Sequence, residues 1–256
     1  MSGFEPDHGG SNPSEGASQQ QSAQQSALSS ALPLALPQRV GSAPQQQTLR
    51  CSELDLMSIA TSVVYLVRHG ETEWARNGRH TGLTDIPLTK TGEEAASLIA
   101  NALANVTFAH VWTSPLQRAK RTCELAGFGA RAQTEADLVE WDYGDYEGLR
   151  SAEIHHLCPG WLVFNDGCPG GEMPAQVGAR VDRLIQRLRT QTGKTLIFSS
   201  GHLLRVMAAR WLGLKAEDGR HFALSTASLS ILGYEHGDLD PAIMLWNHQQ
   251  HAIPGR

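Results

Sequence analysis

The stretch "VVYLVRHGETEW", residues 63–74, runs an apolar segment directly into Arg68, His69 and Gly70. Val63–Val67 contains three valines, the composition of a buried strand. A strand with only a folding role can end on any polar turn. One that delivers a guanidinium beside an imidazole, and then breaks on glycine, is placing chemistry at the edge of a sheet.

Downstream, apolar strands alternate with helical periodicity. "EEAASLIANALA" (93–104) spaces its apolar residues at helical intervals and follows "LTKTG", a capping region. His110–Thr113 reads as a short strand, with Ser114 as N-cap and Pro115 opening the next helix, which puts Arg118 one turn into it. Pro174 to about Arg189 reads as an amphipathic helix. "TLIFSS" (195–200) reads as a buried strand and Leu203–Leu212 as the helix behind it, while "ASLSILGY" (227–234) and "AIMLW" (242–246) finish as strands. This alternation predicts an α/β fold with a mostly parallel central sheet and helices on both faces. Ligands in such folds gather beyond the carboxyl ends of the strands. Arg68-His69, Arg118 and "SSGHLLR" (199–205) would meet there.

Composition narrows the class. The 256 residues are 41% hydrophobic, enough for a sizeable core. A net charge of −5 gives no basic face for nucleic acid. No apolar run approaches the roughly 20 residues of a membrane span. Cys51, Cys123, Cys158 and Cys168 have neither CxxC spacing nor the density of a disulfide scaffold, the pattern of reduced thiols in a cytoplasmic protein. Residues 1–57 are rich in Gln, Ser, Ala and Pro and contain no Trp or Tyr. They read as a disordered low-complexity tail, with Met57 as an alternative start, and 58–256 read as one domain. Oligomeric state stays open.

Arg68 beside His69, with Arg118 arriving from another strand end, concentrates fixed positive charge. Guanidinium forks match phosphate oxygens, so the expected ligand is a phosphoryl group, with helix N-termini adding N–H donors. Adjacent cations would keep His69 neutral and therefore nucleophilic. A neutral imidazole can take the phosphoryl group as phosphohistidine. In "LVEWDYGDYEG" (138–148), Glu140 is the candidate proton donor for the leaving alkoxide. Asp142, Asp145 and Glu147 read as loop solvation, and the tryptophans at 74, 112, 141 and 161 as core.

"LVRHGETEW", "TGLTDIPLT", "SPLQRAKRT" and "LVEWDYGDYEG", in this order, resemble the motifs of the histidine phosphatase superfamily, in its phosphoglycerate-mutase-like branch. The resemblance runs from about residue 63 to 235. "EWDYGDYEGL" and "DGCPGGE" (166–172) look closest to bacterial acid phosphatases and sedoheptulose-bisphosphatase-like sugar phosphatases. It implies His69 as the phosphorylated nucleophile, Arg68 and Arg118 as phosphate clamps, and Glu140 as proton donor. Thr81 and Gly82 match a "TG" whose backbone approaches the phosphate, and Gly70 would let the chain turn sharply beneath the site. The implied activity is hydrolysis of small phosphomonoesters, with no metal and no cofactor.

Two features depart from that pattern. The region after Glu140 has Arg150 but no arginine pair of the kind that grips a carboxylate in the mutases, which favours hydrolysis over isomerisation. The second catalytic histidine of the family falls on Ser200, with His202 two residues later. Losing one charge-stabilising donor from a preorganised site costs ~10² to 10³ in rate. Three readings remain open: a slowed phosphatase, rescue by His202, or a phosphate-binding pseudophosphatase without turnover. Residues 149–175, with Arg150, Trp161 and "DGCPGG", are expected to form the cap that selects substrate.

Overall fold

The computed structural model describes residues 62–236 and 240–249. The expectations for residues 1–57, and for Met57 as a start, lie outside them.

Six strands form one sheet: β1 (Val63–Arg68), β2 (His110–Thr113), β3 (Gln133–Thr134), β4 (Lys194–Ser199), β5 (Leu229–Glu235) and β6 (Asp240–His248). Their order is β3-β2-β4-β1-β5-β6. The pairs β2–β3, β2–β4 and β1–β4 are parallel, whereas β5 and β6 add an antiparallel edge. The sheet is therefore mostly parallel, as the alternation predicts.

Among the described residues, seven α-helices accompany it: α1 (Glu73–Arg76), α2 (Lys90–Leu103), α3 (Gln117–Leu125), α4 (Ser151–Leu157), α5 (Val163–Asp166), α6 (Pro174–Arg189) and α7 (Gly201–Trp211). Strand side chains alternate between faces, and the core divides accordingly. Val64, Leu66 and Ile197 join Val181, Leu184, Leu203 and Met207 of α6 and α7 on one face. Val67, Leu196 and Phe198 join Ile99, Leu103 and Cys123 of α2 and α3 on the other. Both faces are covered by helices, which explains the unbroken apolar runs Val63–Val67 in β1 and Leu196–Phe198 in β4.

The caps meet expectation at α2 and depart from it at α3. At α2, Thr89 caps through its hydroxyl, which accepts from the Gly92 N–H at 3.0 Å. At α3 the expected cap fails. Ser114 N–H donates to Phe198 O (2.9 Å) just past the end of β2, and Leu116, not Ser114, takes the cap position. The helix starts at Gln117, whose N–H donates to Asp85 Oδ1 at 2.8 Å. Arg118 consequently sits in the first turn, not one turn in. The helix α7 also begins earlier than expected, at Gly201, directly off β4.

Candidate active site

Parallel pairing of β1 with β4 sets Arg68 opposite Ser199, and His69 N–H donates to Ser199 O at 2.9 Å. Two strand ends, the start of α3 and the start of α7 therefore meet at one edge, as the topology of parallel sheets favours.

His69 is buried, at 4% exposure. Its Nδ1 lies 2.7 Å from Gly70 O. A carbonyl can only accept, so Nδ1 carries the hydrogen and Nε2 of the neutral ring keeps its lone pair. Burial holds the His69 pKa well below its ordinary value, with Arg118 and then Arg68 adding to the effect and the Gly70 bond opposing it. Burial thus outranks the neighbouring cations that the sequence suggested as the cause.

Gly70 itself does not adopt a left-handed backbone. Its need for glycine is a close approach: a Cβ there would lie 2.4 Å from Gly92 O of α2. Its N–H donates to Thr122 Oγ1 (3.0 Å), whose hydroxyl in turn donates to Arg118 O. The turn beneath the nucleophile is stitched to α3.

Arg118 is fully buried. Its Nη1 donates to Thr84 O (2.9 Å) and its Nη2 to Thr81 O (3.1 Å) and Gly82 O (2.7 Å). It therefore folds the 81–84 loop over itself. Gly82 N–H points to Glu147, bonding Oε1 at 2.8 Å and Oε2 at 3.0 Å, and Thr84 N–H also donates to Glu147. Glu147 thus organises this loop, where the sequence suggested solvation alone.

Four buried side-chain polar atoms have no hydrogen-bond partner among the described residues, and three belong to this strand end: Arg68 Nε, Arg118 Nε and Ser200 Oγ. Buried orphans are rare in folded proteins, and here three cluster at one strand end. Arg68 is otherwise anchored through Nη1 to Leu224 O.

The Glu140 carboxylate accepts three backbone N–H groups. Oε1 takes Trp141 (2.9 Å) and Leu203 (2.8 Å), and Oε2 takes His202 (3.0 Å). Glu140 thus caps α7, because the Ser200 side chain makes no capping bond. Oε2 has the freer acceptor side.

A cavity of about 130 Å³ opens here, lined by Arg68, His69, Thr81, Glu140 and His202 of the expected residues. Gly70, Gly82, Arg118 and Ser200, also expected at the site, are not part of this lining. Arg79, His80 and Tyr143, which the sequence did not single out, also line it, as does Arg205 of "SSGHLLR". "RNGRHTG" carried a signal for two of them, a second Arg-His pair directly before Thr81. His202 shares a hydrogen bond with the Tyr143 hydroxyl. Burial, then Arg205, His80 and Arg68, keep its pKa well below the usual value. Burial pushes His80 down to about 4 and raises Tyr143 well above the normal phenol range. The cavity's fixed charge thus comes from arginines, and both histidines flanking it are neutral at pH 7.

The expected cap is divided. Trp161 borders an adjoining cavity, but Arg150 is exposed and pairs with Glu153. "DGCPGG" lies against the Glu140 segment instead, with Asp145 N–H donating to Pro169 O and Glu172 N–H to Asp142 O. Among the described residues, no group of three or more His, Cys, Asp or Glu is gathered to hold a metal ion, and no helix is long and apolar enough to cross a membrane.

A doubly covered α/β sheet ends here on a buried neutral histidine beside arginines with unfilled donors, the donor set that suits a phosphoryl group. Comparison with known proteins gives the family. The model of the histidine phosphatase superfamily (branch 1) matches residues 64–249. An acid phosphatase of Mycobacterium tuberculosis is 39% identical over 204 residues, covering 78% of this chain and 100% of the relative. A sedoheptulose 1,7-bisphosphatase of Saccharomyces cerevisiae is 32% identical, covering 70% and 90% respectively. The solved structure of an open reading frame product from Mycobacterium tuberculosis superposes with a TM-score of 0.70 at 38% identity, covering 74% of this chain and 98% of that one. The chain belongs to the histidine phosphatase superfamily, and it is a hydrolase of that superfamily.

Proposed function

We propose that the chain hydrolyses small phosphomonoesters, such as sugar phosphates, through a phosphohistidine on His69 and without a metal ion. The observation that carries this reading is the state of His69: buried, neutral, with Nδ1 committed to Gly70 O and Nε2 free beside two arginines. Nε2 attacks phosphorus, and the N–P bond forms as the P–O bond to the leaving group breaks. Glu140 gives the leaving alkoxide its proton from Oε2. Water then attacks phosphorus, Glu140 takes its proton, and the N–P bond breaks to release inorganic phosphate. The arginines act as the charge clamp that a divalent ion provides elsewhere. Relatives named as an acid phosphatase and a sugar bisphosphatase support the substrate class.

Position 200 favours a slowed enzyme. Ser200 brings no charge, its hydroxyl has no partner, and His202 is neutral and tied to Tyr143. A second reading, phosphate-ester binding without turnover, draws on the same residue. Hydrolysis of p-nitrophenyl phosphate in EDTA separates the two. The expected result is turnover by wild type, none by His69→Ala, and a gain of ~10-fold or more in Ser200→His. Wild type at the His69→Ala blank, with Ser200→His active, would establish the second reading.

A further inference from the structure

His202 and His80 stand between the phosphoryl cavity and a second one of about 300 Å³, both residues lining each. The second cavity is more than twice the size of the first, so a bound ester has most of its room on that side. Its walls combine two kinds of surface. Trp161, Val163 and Phe164 are buried and apolar. Arg205, stacked on the Phe164 ring, and Arg220 also line it, and no aspartate or glutamate borders the space.

The two arginines are held in place with donors to spare. Arg205 donates Nε to Gly219 O (3.1 Å) and Nη2 to Arg220 O (2.9 Å), and its Cζ lies 4.5 Å from the centre of the Phe164 ring. Arg220 donates Nη1 to Asn165 Oδ1 (3.0 Å) and Nε to His221. No described residue accepts from Arg205 Nη1 or Arg220 Nη2. The guanidiniums are thus pre-positioned, neither is neutralised by a carboxylate, and little ordering cost remains for a ligand to meet. His80 and His202, neutral at pH 7, add no competing charge.

We propose that this second cavity is the leaving-group subsite, and that it takes the alcohol half of a phosphomonoester with a flat or apolar body ending in an anion, bound by Arg205 and Arg220. The shared chemistry is an oxyanion, carboxylate or phosphate, matched by guanidinium forks. This deepens the hydrolase reading and rests on it for the position of the scissile ester.

The test compares, on the full-length protein, phenyl phosphate with 4-carboxyphenyl and 4-phosphonophenyl phosphate as substrates. Benzylphosphonate and its 4-carboxy analogue serve as ligands in titration calorimetry. The acidic esters are expected to be favoured ~10-fold or more in kcat/KM over phenyl phosphate, and the acidic phosphonate to bind tighter by a like factor, as a charge-assisted bond in a partly buried site supplies. The two acidic esters differ only in the oxyanion, so their ratio tells carboxylate from phosphate recognition. Arg220→Gln, an exposed position whose fold is checked by thermal melting, should bring both preferences to within about twofold of unity. Turnover without any acidic preference, or a preference unaltered in Arg220→Gln, overturns the subsite and leaves hydrolysis standing. No turnover, with tighter binding of the acidic phosphonate that is lost in Arg220→Gln, keeps the subsite and overturns hydrolysis.

Discussion

Gly201 shows how little space separates the clamp from the helix behind it. A Cβ at this position would lie 3.1 Å from both Cζ and Nε of Arg68. That is tight enough to require movement, and Arg68 has little freedom because Nη1 is anchored on Leu224 O. An alanine would therefore turn the unpartnered Nε–H away from the cavity. The same substitution also removes glycine's extra freedom in the unfolded chain, worth ~0.4–1 kcal/mol where the backbone suits an L residue. Gly201→Ala is thus expected to lower kcat/KM for p-nitrophenyl phosphate ~10-fold or more while the melting temperature holds or rises. Steady-state kinetics beside a melting curve checks it, and an undiminished kcat/KM would show that Arg68 does not act through this face. His69 and Arg68 were legible in the sequence because they are adjacent to a strand whose apolar pattern is unmistakable. Gly201 stood in the sequence only as a member of "SSGHLLR", since its role depends on a side chain 133 positions earlier in the chain.

Helix caps separate what local pattern can reveal from what it cannot. Thr89 caps α2 from the adjacent position, and "LTKTG" announced it. Both α3 and α7 are capped by carboxylates from distant segments, Asp85 and Glu140, so the serines at 114 and 200 misled or stayed silent. The strands and long helices were readable because burial on both faces imposes composition locally. The loops that complete the site were not, because Glu147, Arg118 and Arg180 organise them through contacts 34 to 65 residues away in sequence. Arg180 of α6 is the clearest case. It donates to Asp137 O (2.8 Å), Val139 O (2.7 Å) and Glu140 O (3.3 Å), and pairs with Glu172 at 2.7 Å. Glu172 in turn accepts Asp142 N–H. One guanidinium therefore fixes the segment that presents the proposed acid. Arg180→Met should cost ~3 kcal/mol, the lower end for breaking a buried pair because Glu172 is partly exposed. It should also lower kcat more than it raises KM, since Glu140 acts after binding. Urea denaturation and kinetics at a temperature where the variant is folded read the two effects separately. A stability loss with kcat intact would confine Arg180 to the scaffold.

Across the whole molecule, the site makes folding sensitive to acid. His69, His80 and His202 all have folded-state pKa values below 6.5, with burial as the first cause, and His80 lies at about 4. Below pH 6.5 the unfolded chain takes up a proton on each, while the folded chain does not until its own lower pKa is reached. Protons therefore favour unfolding, and stability falls as pH drops through this window. Each such proton contributes about 1.4 kcal/mol per pH unit, so three together give a slope approaching ~4 kcal/mol per unit. Depressed carboxylates act lower down: Glu153, held at about 2 by its hydrogen bonds to Arg150, loses its contribution only below about 4.5. The interval from 6.5 to 4.5 isolates the histidines. Unfolding free energies by urea titration should decline steeply there, and His80→Asn should reduce the slope by about 1.4 kcal/mol per pH unit. A flat profile, or a His80→Asn line parallel to wild type, would contradict the buried neutral histidines. Catalysis has a different limit. Because His69 stays neutral well below 6.5, the acid end of the activity profile is expected to follow loss of the fold and not protonation of the nucleophile. Activity and stability measured over the same pH series should then decline together.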